Sequence, residues 1–533
     1  MEEKMYKYNN TLLEEFARVN TIFDFFAIVI QYLLTRGKRS SDYSKEEFEE
    51  DMDEITVSVE TFFDKYENIS DRKRLLQLCR GIKDFFKDYI ADDRQFCLLC
   101  MKLVRAIDDN LIVSEWDAGL VRSSGCSDYF EYEFLNDNYT DKIGILPKLN
   151  DSFIDNISES YCREYEQELF RDEKDEQELC VSDIVTNYLV FDQQKEPLAS
   201  CRTFYFPQKY FIGKHFSEIR QLKIGISPLI FHNVKNMCEI TWKDPSFPNG
   251  KGAFTIDGFK NGFGEELPKR YHAVVEKAKE EKIDFLIFPE LLVAPEFVEQ
   301  LNLEGKLPLI INGSFWRDNQ NCCSVSDSTS HVICKYFKKV AFEMEDNGKQ
   351  YRENLADMIP DSQSEYVLLD FEGFARVGLC ICRDLDASVQ RMFHKRVRED
   401  ILFVPSFSKS TDMRRAAMEL SENHQMLVVV ANSCSALWED NKAIEKSCDM
   451  QQIIGYIAVP GKRKNQRGAV LHNYCMDGKI CNKCEEQNIS CCNMVTIDVK
   501  QYARLGEIWT LKVCQSFPSK IETDFGDGVD YYE

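Results

Sequence analysis

Apolar runs alternate with amphipathic segments through the second half of the chain. Runs rich in Val, Ile, Leu and Phe that are separated by helical segments are typical of strands covered on both faces. Three such runs end on reactive side chains, and they span residues 285–290, 330–338 and 377–382. The pattern predicts an α/β domain in which a carboxylate, an ammonium group and a thiol collect at the ends of buried strands.

The first part of the chain has a different pattern. Residues 11–17 and 54–63 place apolar side chains at helical spacing, and Gly and Pro are scarce around them. We therefore predict a mainly α-helical domain over residues 1–150 and a connecting region, with one or two strands, over residues 151–218. A chain of 533 residues is too long for a single core, so more than one domain is expected.

The three reactive side chains are Glu290, Lys338 and Cys382. A thiol is a weak nucleophile until it loses its proton. A neighbouring carboxylate can accept that proton, and a lysine can stabilise the negative charge that develops on the substrate. Together the three groups would form an acyl-transfer site that uses neither histidine nor a metal ion.

The segments around these side chains follow one another in a distinctive order. Glutamate, lysine and cysteine stand within residues 288–290, 336–338 and 378–384, and further matching segments flank them at 222–226, 402–406, 422–423, 427–432, 459–461 and 495–499. In this order they resemble the nitrilase, or carbon–nitrogen hydrolase, superfamily. The resemblance implies a four-layer αββα sandwich over residues 219–533, preceded by the helical domain.

The resemblance also implies a mechanism. Glu290 would act as general base, first on the thiol of Cys382 and later on water, while Lys338 would hold the oxyanion. The substrate would form a thioester and release ammonia or an amine, and such a thioester can pass its acyl group to water or to an amine. Nitrile-cleaving members follow the cysteine with Trp-Glu, whereas Arg383 and Asp384 stand here, so amide cleavage is favoured.

Two positions leave alternatives open. Val340 stands where the superfamily commonly has a histidine, and a one-residue slip of the strand would turn Lys339 inward in place of Lys338. Cys380 lies two residues before Cys382 and would share its face, although the spacing from the preceding glycine favours Cys382 as the nucleophile.

Other residues are candidates for contact with the substrate. Many superfamily members carry a second glutamate after the lysine, for which Glu343 and Glu345 are both available. Arg383 could pair with a substrate carboxylate in bidentate fashion, with a salt bridge inside the protein as the alternative. Ser406 lies at the turn after the next strand and is a further candidate.

The net charge of the chain argues against some classes of binding partner. The formal net charge is −24, whereas nucleic-acid binding depends on basic residues that displace counterions. The longest early apolar segment, residues 22–34, is interrupted by Asp24 and is too short to cross a membrane, so a buried helix is expected there. We expect a small-molecule amide as substrate, and neither nucleic acid nor a membrane as partner.

The cysteines bear on compartment and on metal binding. With 21 cysteines and no apparent signal peptide, the thiols are expected to be reduced and the protein cytoplasmic. No cofactor is expected for catalysis. A structural zinc ion is one interpretation of Cys475, Cys481, Cys484 and Cys491, with Cys492 as a substitute for the last, and a loop of free thiols is the other.

Two further interpretations remain open. The chain could be a catalytically inactive nitrilase-like scaffold, or a regulated effector whose N-terminal domain binds a partner or ligand and gates an amidase. Phage defence, nitrogen metabolism and cofactor metabolism are all compatible contexts. The resemblance also implies a homodimer or larger homo-oligomer.

Overall fold

The computed structural model of the protein describes part of the chain. The described residues are 2–19, 22–36, 52–64, 72–110, 120–122, 130–132, 143–147, 185, 188–192, 201–206, 221–229, 237–243, 252–260, 262–301, 307–317, 320–327, 329–355, 366–371, 375–387, 390–391, 393–394, 397, 399–408, 412–424, 426–433, 453–458, 468–472, 492–498, 511–515 and 521–524.

The described helices and strands follow in chain order. The helices are α1 Glu2–Glu15, α2 Ile22–Arg36, α3 Met52–Asp64, α4 Arg72–Phe86, α5 Asp93–Asn110, α6 Phe263–Glu280, α7 Pro295–Glu299 and α8 Asp412–His424. The strands are β1 Leu120–Arg122, β2 Phe130–Tyr132, β3 Ile143–Pro147, β4 Tyr188–Asp192, β5 Cys201–Phe206, β6 Gln221–Ile226, β7 Cys238–Lys243, β8 Gly252–Phe259, β9 Phe285–Ile287, β10 Leu309–Arg317, β11 Gln320–Ser326, β12 Val332–Phe337, β13 Glu343–Asp346, β14 Lys349–Glu353, β15 Tyr366–Phe371, β16 Ala375–Leu379, β17 Ile401–Ser406, β18 Leu427–Asn432, β19 Ile453–Ala458, β20 Gly468–His472, β21 Asn493–Asp498, β22 Leu511–Gln515 and β23 Ile521–Asp524.

The chain forms two compact units. The first comprises Met1–Asn150 and Glu159–Leu198, and the second comprises Asp151–Ser158 and Ala199–Glu533. The described helices of the first unit end at Asn110, earlier than the predicted boundary at residue 150, and β1 to β4 follow them. Strand β5, which the sequence analysis placed in the connecting region, pairs in parallel with β15 and so belongs to the second unit.

The first unit is built on helices α1 to α5. Their apolar faces bury a cluster of aromatic rings, in which Phe16 lies edge-on to Phe25 and Phe86. The polar side chain of Asn9 is buried among these helices, and other residues of the unit supply its hydrogen bonds. It accepts one from the hydroxyl of Tyr32 at 2.5 Å and donates one to the carbonyl of Ile90 at 3.0 Å. Helix α2 is the buried helix predicted from its apolar run. Within the described ranges, no helix combines the length and the apolar character that a bilayer crossing requires.

Two large sheets form the centre of the second unit. One has the strand order β12-β11-β10-β9-β6-β21-β22, and the other contains β5-β15-β16-β17-β18-β19-β20-β23. The strands that precede the predicted glutamate and cysteine, β9 and β16, pair in parallel with neighbours in different sheets. A third sheet, β13-β14-β8-β7, brings a hairpin to the same region.

The two large sheets pack face to face. The ring centre of Phe285, in the first sheet, lies 5.9 Å from the ring centre of Phe371 and 5.2 Å from that of Phe403, both of which are in the second sheet. Helix α6 covers the outer face of the first sheet, where the ring centres of Tyr271 and Phe288 lie 4.9 Å apart. Helix α8 covers the second sheet. The helix-sheet-sheet-helix order confirms the predicted αββα sandwich.

A bulge in β10 shapes the turn that holds Glu290. The pairing of β10 with β11 shifts register between Ile311 and Ser314, and Gly313 between them has φ of +69°. A Cβ atom at Gly313 would lie 2.2 Å from the carbonyl oxygen of Pro289. The absence of a side chain therefore lets the two backbones approach, and the Ser314 N–H donates to that same carbonyl at 3.3 Å.

We expect the substitution Gly313→Ala to lower the free energy of unfolding by about 2–4 kcal/mol, because it adds a left-handed backbone penalty to a backbone clash. Gly258→Ala in β8 is the matched control, since a Cβ atom there meets nothing within 4 Å. Denaturant unfolding of both variants measures the difference. Equal stability of the two would contradict the role assigned to the bulge.

Candidate active site

Three side chains from the ends of three strands meet inside the second unit. Glu290 follows β9, Lys338 follows β12 and Cys382 follows β16, and each is no more than 3% exposed. Lys338 Nζ lies 2.7 Å from Glu290 Oε1, and Ser406 connects the glutamate to the cysteine, since its carbonyl accepts the N–H of Glu290 at 3.3 Å and its hydroxyl donates to Cys382 Sγ. The structure thus brings together the three residues that the sequence analysis singled out.

A second carboxylate, from Glu353 in β14, completes the cluster. Its Oε2 lies 2.6 Å from Lys338 Nζ and accepts the N–H of Phe342 at 2.9 Å. Its Oε1 accepts the indole N–H of Trp316 at 2.9 Å. The ammonium group of Lys338 is therefore held between two buried carboxylates, which satisfies two of its three donors.

Asn321 in β11 connects the two carboxylates. Its side-chain amide lies 2.9 Å from Glu290 Oε1 and 3.0 Å from Glu353 Oε1. The Lys338 N–H also donates to the Asn321 carbonyl at 2.8 Å. This residue fixes the separation of the carboxylates, and the sequence analysis did not find it because a single asparagine in a strand gives no recognisable signal.

Cys382 stands at a sharp turn between β16 and a short 3₁₀ helix. Ile381 is extended, whereas Cys382 has φ of +47°, a left-handed conformation that is uncommon outside glycine. The hydroxyl of Ser406 donates to Cys382 Sγ at 3.6 Å. The end of β17 thus supplies a donor to the thiol.

Asp384 locks this turn to the loop that carries the lysine. It accepts the N–H of Ile381 at 3.2 Å, the hydroxyl of Tyr336 at 2.9 Å and the N–H of Val340 at 2.7 Å. The contact with Val340 uses the backbone, so the departure from histidine at that position leaves the anchor intact. Asp384 therefore holds the lysine and cysteine segments in a fixed relation.

The charged groups of the cluster shift one another's pKa values. Burial raises the pKa of the Cys382 thiol, and the nearby Glu290 carboxylate raises it further. Burial also raises the pKa of the Glu290 carboxyl, although Lys338 opposes this. For Lys338 burial would lower the pKa, but the two carboxylates outweigh it and raise the pKa. The site at rest is a neutral thiol beside a carboxylate and a charged ammonium group.

A cavity of about 500 Å³ opens beside the thiol. Its described lining includes Cys382, Arg383, Phe342 and Met413. A space of the size typical for small-molecule ligands therefore lies beside Cys382. Arg383 is exposed and reaches this cavity, as a substrate-contacting residue would.

The other predicted substrate contacts are placed differently. Ser406 is 1% exposed and turns its hydroxyl to the thiol. Glu343 is half-buried at the start of β13, and Glu345 is exposed and accepts a hydrogen bond from Gln350. The carboxylate that meets Lys338 belongs instead to Glu353, ten residues beyond Glu343.

The register of β12 settles which lysine faces inward. Lys338 is buried in the cluster, whereas Lys339 is half-buried with its ammonium group 4.6 Å from the ring centre of Tyr366. Cys380 is fully buried, and burial raises the pKa of its thiol well above the usual range.

The predicted zinc ligands Cys475, Cys481, Cys484 and Cys491 lie outside the described residues. Their neighbour Cys492 is described, and its sulfur packs in the core near Gly225. In the described part of the chain, no group of three or more His, Cys, Asp or Glu side chains is placed to hold a metal ion.

Comparison with known proteins gives structural likenesses alone. No protein-family model matches this chain, and no curated protein matches it. Nit3 from Saccharomyces cerevisiae, a member of branch 10 of the nitrilase superfamily, aligns with 12% identity and a TM-score of 0.30 over 45% of this chain and 83% of its own. The NitFhit protein of C. elegans aligns with 15% identity and a TM-score of 0.28, over 53% and 62%. An amidase from Nesterenkonia sp. aligns with 13% identity and a TM-score of 0.25, over 40% and 76%.

The proteins with these structures include a member of the superfamily that the sequence resembles.

We expect Lys338→Met to lower the free energy of unfolding by about 3–5 kcal/mol at pH 8, because two buried carboxylates lose their shared cation. Without that cation, nothing opposes the effect of burial, which raises the pKa of the Glu290 carboxyl in the folded state. The loss of stability should therefore grow as pH rises and shrink toward pH 5, where this carboxyl takes up a proton.

Lys339→Met is the matched control for this prediction. It removes a half-buried lysine above aromatic rings and should cost about 1 kcal/mol or less, with little dependence on pH. Denaturant unfolding at pH 5 and pH 8 tests both variants. A larger loss for Lys339→Met would mean that the strand register places the other lysine in the cluster.

Proposed function

We propose that the protein is a carbon–nitrogen hydrolase that cleaves an amide through a thioester on Cys382. The observation that carries this proposal is the buried cluster in which Lys338 Nζ lies 2.7 Å from Glu290 Oε1 and Ser406 hydrogen-bonds to both Glu290 and Cys382, with Cys382 at the wall of a cavity. A nucleophile, a base and a cation within one buried cluster are the parts that acyl transfer requires.

Acylation begins with the neutral thiol. Glu290 accepts its proton while the sulfur attacks the carbonyl carbon of the amide, and the carbonyl oxygen becomes an oxyanion. The third donor of Lys338, which neither carboxylate uses, stabilises that charge. The intermediate then collapses: the carbon–nitrogen bond breaks, the nitrogen takes the proton from Glu290, and ammonia or an amine leaves a thioester behind.

Deacylation repeats the sequence with water. Glu290 accepts a proton from the water molecule as its oxygen attacks the thioester, and the carbon–sulfur bond then breaks. The sulfur takes that proton from Glu290, which becomes a carboxylate again, and the carboxylic acid leaves. The raised pKa of Glu290 suits this alternation, because a base that must return its proton works best when its pKa lies closer to the working pH.

Glu353 and Asn321 serve this chemistry as positioning residues. Glu353 holds Lys338 from the side opposite Glu290, and Asn321 fixes the spacing of the two carboxylates. With both in place, the ammonium group stays charged, and only its third N–H donor remains for the oxyanion of the substrate. The hydroxyl of Ser406 supports the sulfur as it gains charge.

We expect the wild-type protein to convert amides to hydroxamates when hydroxylamine is supplied, because hydroxylamine captures a thioester and releases the free thiol. The measurement is hydroxamate and ammonia release across a panel of small amides. Cys382→Ala and Glu290→Gln should abolish both products, whereas Cys380→Ala should retain them.

Two results would contradict the proposal. One is hydroxamate formation that survives Cys382→Ala. The other is a Cys382 thiol that reacts with iodoacetamide no faster than the buried Cys380, which would favour an inactive scaffold or a site closed by the first unit.

We expect the turnover number to fall on the acidic side as Glu290 becomes protonated, since the proposed base acts only as a carboxylate. Because burial raises the pKa of Glu290, the midpoint should lie above the usual range of a glutamate. A pH profile on any amide that the panel identifies measures it, with Glu345→Gln as the exposed control. A midpoint at or below the value of a free glutamate would count against Glu290 as the base.

A further inference from the structure

A second buried polar cluster lies at the start of β16, the strand that leads to Cys382. Arg376 is buried there, and its guanidinium group donates to both carboxylate oxygens of Asp370, at 2.7 and 2.8 Å. It also donates to the carbonyl of Val397 at 2.9 Å. The proposed reaction uses none of these groups, although they hold the strand that carries its nucleophile.

Backbone hydrogen bonds fasten the same end of β16 to the start of β17. The N–H of Arg376 donates to the carboxylate of Asp400 at 2.7 Å, and the N–H of Asp400 donates to the carbonyl of Arg376 at 2.8 Å. From there the two strands run in parallel, with Gly378 opposite Leu402. These bonds fix where β16 begins.

The side chain of Glu399 occupies the space beside Gly378. Glu399 is buried, and a Cβ atom at Gly378 would lie 2.0 Å from its Cδ atom and 2.1 Å from both of its carboxylate oxygens. A carboxylate in this place therefore requires a glycine in the strand. His394, also buried, holds the carboxylate, since its Nδ1 lies 2.9 Å from both oxygens. Glu399 thus rests directly on the backbone of β16.

The strand itself links Gly378 to the nucleophile. Three residues separate Gly378 from Cys382, and the N–H of Cys380 among them donates to the carbonyl of Phe403 at 3.2 Å. A displacement of β16 at Gly378 would therefore move the thiol relative to Glu290. A misplacement of about 1 Å can lower the rate of a reaction about a hundredfold, even when its cause lies away from the reacting atoms.

We propose that Glu399 is a positioning residue for Cys382. Its carboxylate, held by His394, packs on Gly378 and so determines how closely β16 brings the thiol to Glu290. This role rests on the proposed function, in which Glu290 takes the proton of the thiol. Glu399 takes part in no bond making, and the strand requires the volume of its side chain rather than its charge.

Alkylation of Cys382 by iodoacetamide tests this role without a known substrate. The sulfur displaces iodide and the thiol proton passes to a base, so the rate at mildly acidic pH should fall when the thiol moves away from Glu290. We expect Glu399→Ala to lower this rate about tenfold. Glu399→Gln keeps the volume and an acceptor for His394, so its rate should stay within about twofold of wild type. Mass spectrometry of the peptide that contains Cys382 measures the rates.

A change of position must act through Glu290. In a Glu290→Gln background we therefore expect Glu399→Ala to change the rate by less than about twofold, because the displaced thiol no longer has that base to lose. Gly378→Ala tests the same contact with every charge of the cluster kept, and it applies even where Glu399→Ala does not fold. It should lower the rate, because its methyl group displaces the carboxylate. The double variant Gly378→Ala/Glu399→Ala should react no more slowly than Glu399→Ala alone.

Arg270→Gln is the control for lost stability. Arg270 is a buried arginine of helix α6 that pairs with Glu266 on the same helix, in the layer that covers the other sheet. Its loss should lower the free energy of unfolding and leave the alkylation rate at Cys382 unchanged. Denaturant unfolding of each variant is measured beside the rates.

The outcomes separate this role from the proposed function. An unchanged rate in Glu399→Ala, an equal fall in both backgrounds, or a fall in Glu399→Gln as deep as in Glu399→Ala overturns the positioning role and leaves the hydrolase proposal standing. A slower Arg270→Gln also overturns it, since lost stability alone would then explain the effect. A rate at Cys382 that Glu290→Gln leaves unchanged overturns Glu290 as the base, and with it the proposed function.

Discussion

The second unit depends on a single buried charge cluster, in which the ammonium group of Lys338 lies between the carboxylates of Glu290 and Glu353. Moving three charged groups out of water costs several kcal/mol for each ion, and only close, well-directed contacts offset that cost. The two contacts of 2.6 and 2.7 Å meet this condition. These contacts therefore hold in place each segment that supplies one of the three side chains.

This requirement explains why the surrounding backbone takes its less common conformations. The bulge at Gly313 lets the Glu290 turn approach β10, and the left-handed Cys382 brings the thiol to the carboxylate. The Glu290 N–H donates to the carbonyl of Ser406 at 3.3 Å, which ties the first sheet to the strand beside the nucleophile. Strain at these points is maintained by the many contacts of the cluster rather than by local preference.

The sequence predicted the site where the chemistry follows an apolar run. Glu290, Lys338 and Cys382 end such runs, whereas the choice between Lys338 and Lys339 depends on the register of β12, which the apolar run does not indicate. Glu353 was missed because β14, with the sequence Lys-Gln-Tyr-Arg-Glu, is polar and reads as a loop. The spacing of two between Tyr351 and Glu353 is the one sequence signal that could have identified Glu353. That signal has meaning only in a hairpin that places both side chains against the core.

Long-range pairing accounts for the rest of what the sequence did not reveal. Strand β5 pairs with β15, more than 150 residues away, and no local sequence pattern indicates that partner, so the sequence analysis left β5 in the connecting region. Helix ends and strand positions follow from local sequence, whereas sheet order follows from how the whole unit buries its apolar faces.

The protonation state at rest gives the cluster a further consequence. In a chain with 21 cysteines, an exposed thiolate would be the first to be oxidised, because oxidation follows thiolate character and access. Cys382 is 3% exposed, and its raised pKa keeps it as the thiol. In the reaction that we propose, the nucleophile is generated only when Glu290 takes the proton, so the rate would depend on how well a substrate is held against the sulfur while that proton moves.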